Sequence, residues 1–299
     1  MYKLISIFLA GFIVLFAGCA GAANNLYKFD YISLDLVGDI DNEVANTSGL
    51  IDIDGRLFTH NDSGDATIYE INATTGFVER RITINGALNT AWEDIAYDDT
   101  YVYIADIGNP TGSRSELQIY KVLKDDLLNY TNVDSQKISF SYLDQVSYTY
   151  GTNTTPYDAE ALIVYNNELY IFTKNWEDYT TRVYNIPNTL GFHSVSQIAD
   201  YYFEVMITGA TVDKINNSIA LVGYSDPYDA TMPQVSEIIV LSDFTKDSFF
   251  SGAITTYEIS DDQTSSRLEA IAYDTPTQLY LTTESVSPYP AKLYKAVLP

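Results

Sequence analysis

The chain has 299 residues, of which 46% are hydrophobic and 14% aromatic, including 26 tyrosines. That is enough apolar material for one large β domain or two smaller ones, and it excludes a disordered chain. Forty acidic against sixteen basic residues give a net charge of −24, which argues against a nucleic-acid partner because phosphate backbones need a basic surface.

The N-terminus reads as an export signal. Lys3 precedes the uncharged run "LISIFLAGFIVLFAG", too short for a comfortable membrane span and laid out as a secretory leader. The tetrapeptide "FAGC" resembles a bacterial lipobox, in which the cysteine becomes the lipidated first residue of the mature protein. Phe16 stands where that pattern prefers Leu, Val or Ile. Cys19 is the only cysteine, so the mature domain has no internal disulfide and relies on packing. The expected organisation is a leader over 1–19, a tether over 20–26 and a single domain over 27–299. A lipid at Cys19 would hold this monomer at the bacterial cell envelope, on the extracytoplasmic side.

Five units then follow one another. They begin at "SGLIDIDGRLFTHNDSGDATIYEIN", "WEDIAYDDTYVYIADIGN", "AEALIVYNNELYIFTKNW", "TGATVDKINNSIALVGYS" and "LEAIAYDTPTQLYLTTES". Each reads as strand, tight polar turn, strand, longer loop, strand and outer strand, with turn residues such as "DIDG" and "YNNE" at the expected place. Four antiparallel strands repeated radially predict an all-β, five-bladed β-propeller. The fifth unit stops one strand short, and "YKFDYISLDL" (27–36) is a spare strand, so the N-terminal strand is expected to complete the last blade and close the ring. A sixth blade would have to hide in the long gap between units two and three.

In a propeller the first strand of each blade lines the central channel. An equivalent position near its start holds Ser48, Glu93, Glu160, Thr208 and Glu269, predicted to converge on one axis at one height. Neighbours such as Ile95 and Ala96 would pack between blades. Three glutamates in a narrow tunnel raise one another's pKa, and desolvation adds to the strain. A divalent cation relieves both. With oxygen donors only, Ca²⁺ is favoured over Zn²⁺, and Mg²⁺ demands stricter geometry. One central Ca²⁺ is therefore the expected cofactor, and a ring of water-bridged or protonated acids is the alternative.

The ends of the second strands share a face with this ring, because first and second strands run antiparallel. They bring His60, Asn61, Asp62, Asp106, Asn109, Lys174, Asn175, Trp176, Tyr224, Asp226 and Glu284 to the mouth, with Arg114 within reach. Polar loops beside Trp and Tyr suit a small-ligand site, although strand ends are polar in any case.

The ordered set Ser48, Glu93, Glu160, Thr208, Glu269 resembles the Ser, Glu, Glu, Ser, Glu series of the calcium-activated nucleotidases, or apyrases, with Thr in place of the second Ser. "SGLIDIDGRLFTHNDSGDATIYEI" and "YVYIADIGNPTGS" are similar to that family's first and second blades. The resemblance spans about residues 44–290 and implies a five-bladed propeller with one central Ca²⁺. The family sets several basic residues around its phosphates, whereas this chain offers Lys174 and Arg114, with Arg182 behind them.

Two readings follow. In the first, Ca²⁺ is structural and the mouth binds a small molecule or protein without chemistry. In the second, a Ca²⁺-dependent hydrolase acts on a phosphorylated small molecule, with Lys174 and Arg114 offsetting developing charge and Asp62 or Asp106 as base. A nucleophilic-serine motif is absent, and His193 in "GFHSVS" reads as a loop residue.

Overall fold

A computed structural model describes residues 30–228, 235–260 and 267–299. The leader, Cys19 and the tether lie outside these described residues.

The described residues form five sheets arranged as five blades. Their innermost strands are Thr47–Ile53, Trp92–Tyr97, Ala159–Tyr165, Met206–Asp213 and Leu268–Thr275. Each pairs antiparallel with the next strand across a tight hairpin. The turns use the predicted chemistry: Asp54 and Gly55 in blade one, and Asn166 and Asn167 in blade three, all take positive φ. Two consecutive left-handed residues make the hairpin turn that matches the twist of flanking strands.

All five innermost strands share one irregularity. Their register with the second strand slips between Thr47 and Gly49, Trp92 and Asp94, Ala159 and Ala161, Ile207 and Gly209, and Leu268 and Ala270. The residue skipped at each slip is Ser48, Glu93, Glu160, Thr208 or Glu269. A bulge leaves one residue unpaired and re-aims its side chain. An acid can therefore head an apolar strand, because the bulge removes it from the ladder and turns it to the axis.

The ring closes at the N-terminus. Asp35–Asp39 pairs antiparallel with Lys292–Val297 as the fourth strand of blade five. The stretch read from sequence as one strand is in fact two. Its first part, Asp30–Ile32, pairs in parallel with Ala253–Ile259 of blade four. The same crossing recurs twice: Asn132–Asp134 lies along Val78–Asn85 of blade one, and Gly191–Val195 along Gln136–Tyr142 of blade two. His193 thus belongs to a strand, not a loop. In each case a short segment before a blade's fourth strand first clips onto the preceding blade.

Packing sits between blades, not within a single central core. Five apolar clusters each join two neighbours. Trp92, Phe58 and Ile104 tie blade one to two, for example, while Phe172, Ile207 and Phe249 tie blade three to four. Truncating one such fully buried side chain costs roughly 2–5 kcal/mol.

Candidate functional site: an axial ring with an internal lysine

The bulges bring the five predicted axial residues together at the channel. Ser48 Oγ donates to the Glu93 carbonyl oxygen at 2.9 Å and lies 3.3 Å from the Glu93 carboxylate. Thr208 Oγ1 donates to the Leu268 carbonyl at 2.7 Å, from blade four to blade five. Gly108, in "ADIGN", makes room for Glu93: a Cβ there would run into the carboxylate. Burial pushes the Glu93 and Glu160 carboxyls well above the usual carboxylate range, and at Glu93 the charges of Glu160 and Asp158 add to it.

Lys174 stands in this ring. It follows Glu168–Thr173, and its backbone N–H donates to the Asp158 carbonyl at 2.7 Å, which turns the side chain inward. Its Nζ lies 2.7 Å from Glu160 Oε2 and donates to Tyr224 Oη at 2.9 Å; Tyr224 in turn donates to Glu269 Oε1 at 2.9 Å. Lys174 is 5% exposed. Burial works against its charge, but Glu160, Tyr224 and Glu269 more than offset it and hold the ammonium protonated.

Below the ring sits Asp94, a residue the sequence reading passed over. Fully buried, it accepts backbone N–H groups of Ile95 (2.8 Å), Leu162 (2.8 Å) and Ala210 (3.3 Å), from blades two, three and four. Each donor lies two residues past a bulge. Burial raises the Asp94 carboxyl well above its ordinary value, against the pull of the three amides.

The other predicted mouth residues divide into structural and open ones. Asp106 is sealed from solvent, accepts the Ala91 N–H at 3.0 Å and pairs with Arg114 at 3.0 Å. Arg114 also donates to the carbonyls of Gly108 and Asp106. Asn175 holds its own turn through Asp178 and Thr180, and Asn61 is tied to the Glu43 carbonyl and the Asn46 N–H. His60 packs edge-on to Trp92 with Nε2 unpartnered, and burial lowers its pKa to about 4, so it is neutral. Asn109 takes Asp158 on its backbone N–H and keeps an unpartnered Nδ2.

At the rim, Asp62 is half-buried, Trp176 donates to Asp158 at 2.8 Å, and the Trp176 and Tyr228 rings lie 6.4 Å apart. Glu284 lies 3.7 Å from Arg267, which donates to the Tyr228 hydroxyl. Burial, aided by Glu269, raises the Glu284 carboxyl to about 7. Asp158, Arg267 and Tyr228 carried no sequence signal, since none occupies a repeated position of the kind that marked the ring.

The opposite end of the channel holds a cavity of about 200 Å³ lined by all five blades, including Asp52, Tyr97, Asp213, Lys214 and Tyr273. Asp52 and Asp213 each keep one buried carboxylate oxygen without a partner. Burial raises Asp52 to about 6.

Glu160 and Glu269 are bridged by Lys174 and Tyr224. Among the described residues, no three His, Cys, Asp or Glu side chains come close enough together to hold an ion.

The fold and its axial ring place the chain among five-bladed β-propellers. No family model and no curated protein matches it. Among solved structures it is similar to the soluble aldose sugar dehydrogenase of Escherichia coli at 9% identity, covering 90% of this chain and 100% of that one, with a TM-score of 0.49. A mannose phosphorylase of Leishmania mexicana matches at 9% identity, 91% and 88% coverage and a TM-score of 0.47. A GH43 β-1,3-galactosidase matches at 9% identity, 85% and 92% coverage and a TM-score of 0.48. Likeness at this level carries nothing about activity.

Proposed function

We propose that the protein is a lipid-anchored, extracytoplasmic propeller that binds a small molecule or partner at the upper mouth of its channel and does not transform it. One observation carries this reading: the groups that phosphoryl chemistry would need are committed inside the fold. Lys174 is held by Glu160 and Tyr224, Arg114 by Asp106 and two carbonyls, and Asp106 has no route to solvent. What remains toward the mouth among the described residues is the Glu93 carboxylate, Asp62, the Glu284–Arg267 pair and the Trp176 and Tyr228 rings.

Acids outnumber bases in that set. A neutral or cationic ligand with several hydroxyl or amino groups suits it, whereas a phosphate ester would meet Glu93, Asp62 and Glu284. Convergent polar groups beside aromatic faces favour such a polar organic ligand.

The test is a thermal-shift panel of polyols, amino sugars, amines, nucleotides and phosphoesters, with phosphate release followed on the same samples. Hydroxylated or amino compounds should raise Tm, with the rise abolished in Glu93→Gln. Phosphate release from any phosphoester, with or without Ca²⁺, would replace this reading with the hydrolase. Separately, replacing Cys19 by Ala should release the protein from the membrane fraction.

A further inference from the structure

We infer that Lys174 supplies the positive charge that the nucleotidase resemblance assigns to a metal ion, so that this propeller carries its own axial cation. Four observations converge on this. The ammonium sits among the axial acids, 2.7 Å from Glu160 and linked through Tyr224 to Glu269, so one side chain serves two of the three glutamates. It is nearly inaccessible, and its Nζ lies 5.1 Å from the ring centroid of Trp176, which adds an aromatic face to the charge pairing.

The third observation is positional. Lys174 lies one residue beyond the partner of Ala159 in the blade-three register. The matching places in the other blades hold Asp62, Ile107, Tyr224 and Glu284. Lys174 is the sole cation of that tier and stands beside Glu160, the axial acid of its own blade. The fourth is that no three acidic or metal-ligating side chains among the described residues are close enough to coordinate an ion.

A divalent ion in the ring would have to displace the lysine from Glu160 or sit against a fixed positive charge in a low-dielectric channel, where like charges repel strongly. A tethered ammonium also has a different consequence from a dissociable ion. The charge balance of the axis cannot be removed by chelation and does not depend on ambient calcium.

The experiment uses the full-length protein, with Ca²⁺ and the luminescent calcium substitute Tb³⁺ as probes. Wild type should melt at the same Tm in EDTA and in millimolar Ca²⁺, and Tb³⁺ should show no saturable tyrosine- or tryptophan-sensitised emission. Lys174→Gln should melt below wild type in EDTA, and Lys174→Arg, which keeps the charge, should melt between the two. A saturable Ca²⁺-dependent rise in the wild-type Tm would overturn the inference, as would Lys174→Gln melting with wild type. The wild-type arm remains decisive if the glutamine variant does not fold. Binding at the mouth is scored by the additive panel, so either reading can fail without the other.

Discussion

The two ends of the channel treat buried acids in opposite ways. At the upper end Glu160 and Glu269 are joined through Lys174 and Tyr224, and Glu93 leans on Ser48. At the lower end Asp52 and Asp213 are just as enclosed, yet each leaves a carboxylate oxygen with no partner. The upper end is therefore sensitive to the loss of a partner. The lower end is sensitive to pH through Asp52, whose carboxyl burial raises to about 6.

The strongest way to break the contrast is to remove the upper cation. Lys174→Met should lower unfolding free energy by about 3–5 kcal/mol, because it leaves Glu160 buried without its counter-charge. Urea unfolding measures this, and a loss below about 1 kcal/mol would mean that the ion pair is not the organising feature of the axis.

Next comes Asp94, which lies between the two ends and gathers amides from three blades. Asp94→Asn turns one acceptor into a donor that faces N–H groups. Unsatisfied buried donors of this kind cost roughly 1–3 kcal/mol, and the Leu162 and Ala210 amides should lose hydrogen-exchange protection. Unchanged protection at both would refute its role as a pin between blades.

The lower end should respond with the opposite sign. Asp52 titrates near 6 in the folded protein, against roughly 3.9 in an unfolded chain. Between these values the folded state binds more protons at Asp52, so this group's contribution to stability falls as pH rises from about 4 to 6. Asp52→Asn, which keeps an acceptor for the Gly55 N–H, should be more stable than wild type by about 3 kcal/mol at pH 7 and close to it near pH 4. His60, lowered to about 4, acts in the reverse direction, its contribution fading as pH drops from about 6.5 toward 4. It is common to both proteins and cancels in the comparison. A constant difference across pH would contradict the assignment to Asp52.

The smallest effect belongs to the exposed rim of the lower cavity. Lys214 lies over the Tyr97 ring and 3.5 Å from a fully exposed Asp99. Lys214→Ala should change stability by less than about 0.5 kcal/mol, and salt should erase even that.

Much of the fold was legible because it repeats. Five turns of the same chemistry and five equivalent strand starts pointed to the blades, and aligning those starts placed Ser48, Glu93, Glu160, Thr208 and Glu269 at one height. The bulges behind that arrangement leave no mark in composition. Asp94 was missed because it lies in what reads as an apolar run, and only the three-dimensional ring shows three amides meeting it. Lys174 was found but given an outward task, since a strand-end lysine reads as solvated until Glu160 and Tyr224 are seen around it. The crossing strands Asn132–Asp134 and Gly191–Val195 were invisible because short parallel pairings depend on a neighbouring blade, not on a local pattern.

Those crossings bear on the order in which the chain can assemble. Blade one is not finished until Asn132–Asp134 has been made, and blade two waits for Gly191–Val195. Blades four and five wait on the opposite end, because their last strands, Asp30–Ile32 and Asp35–Asp39, are synthesised first and have no partners until Ala253–Ile259 and Lys292–Val297 exist. Pairings between such distant segments form slowly, since a long loop must close before any contact rewards it. The earliest segment of the domain to leave the ribosome is thus the one that must stay unpaired longest, and a chain released early holds two unsealed blades with exposed strand edges.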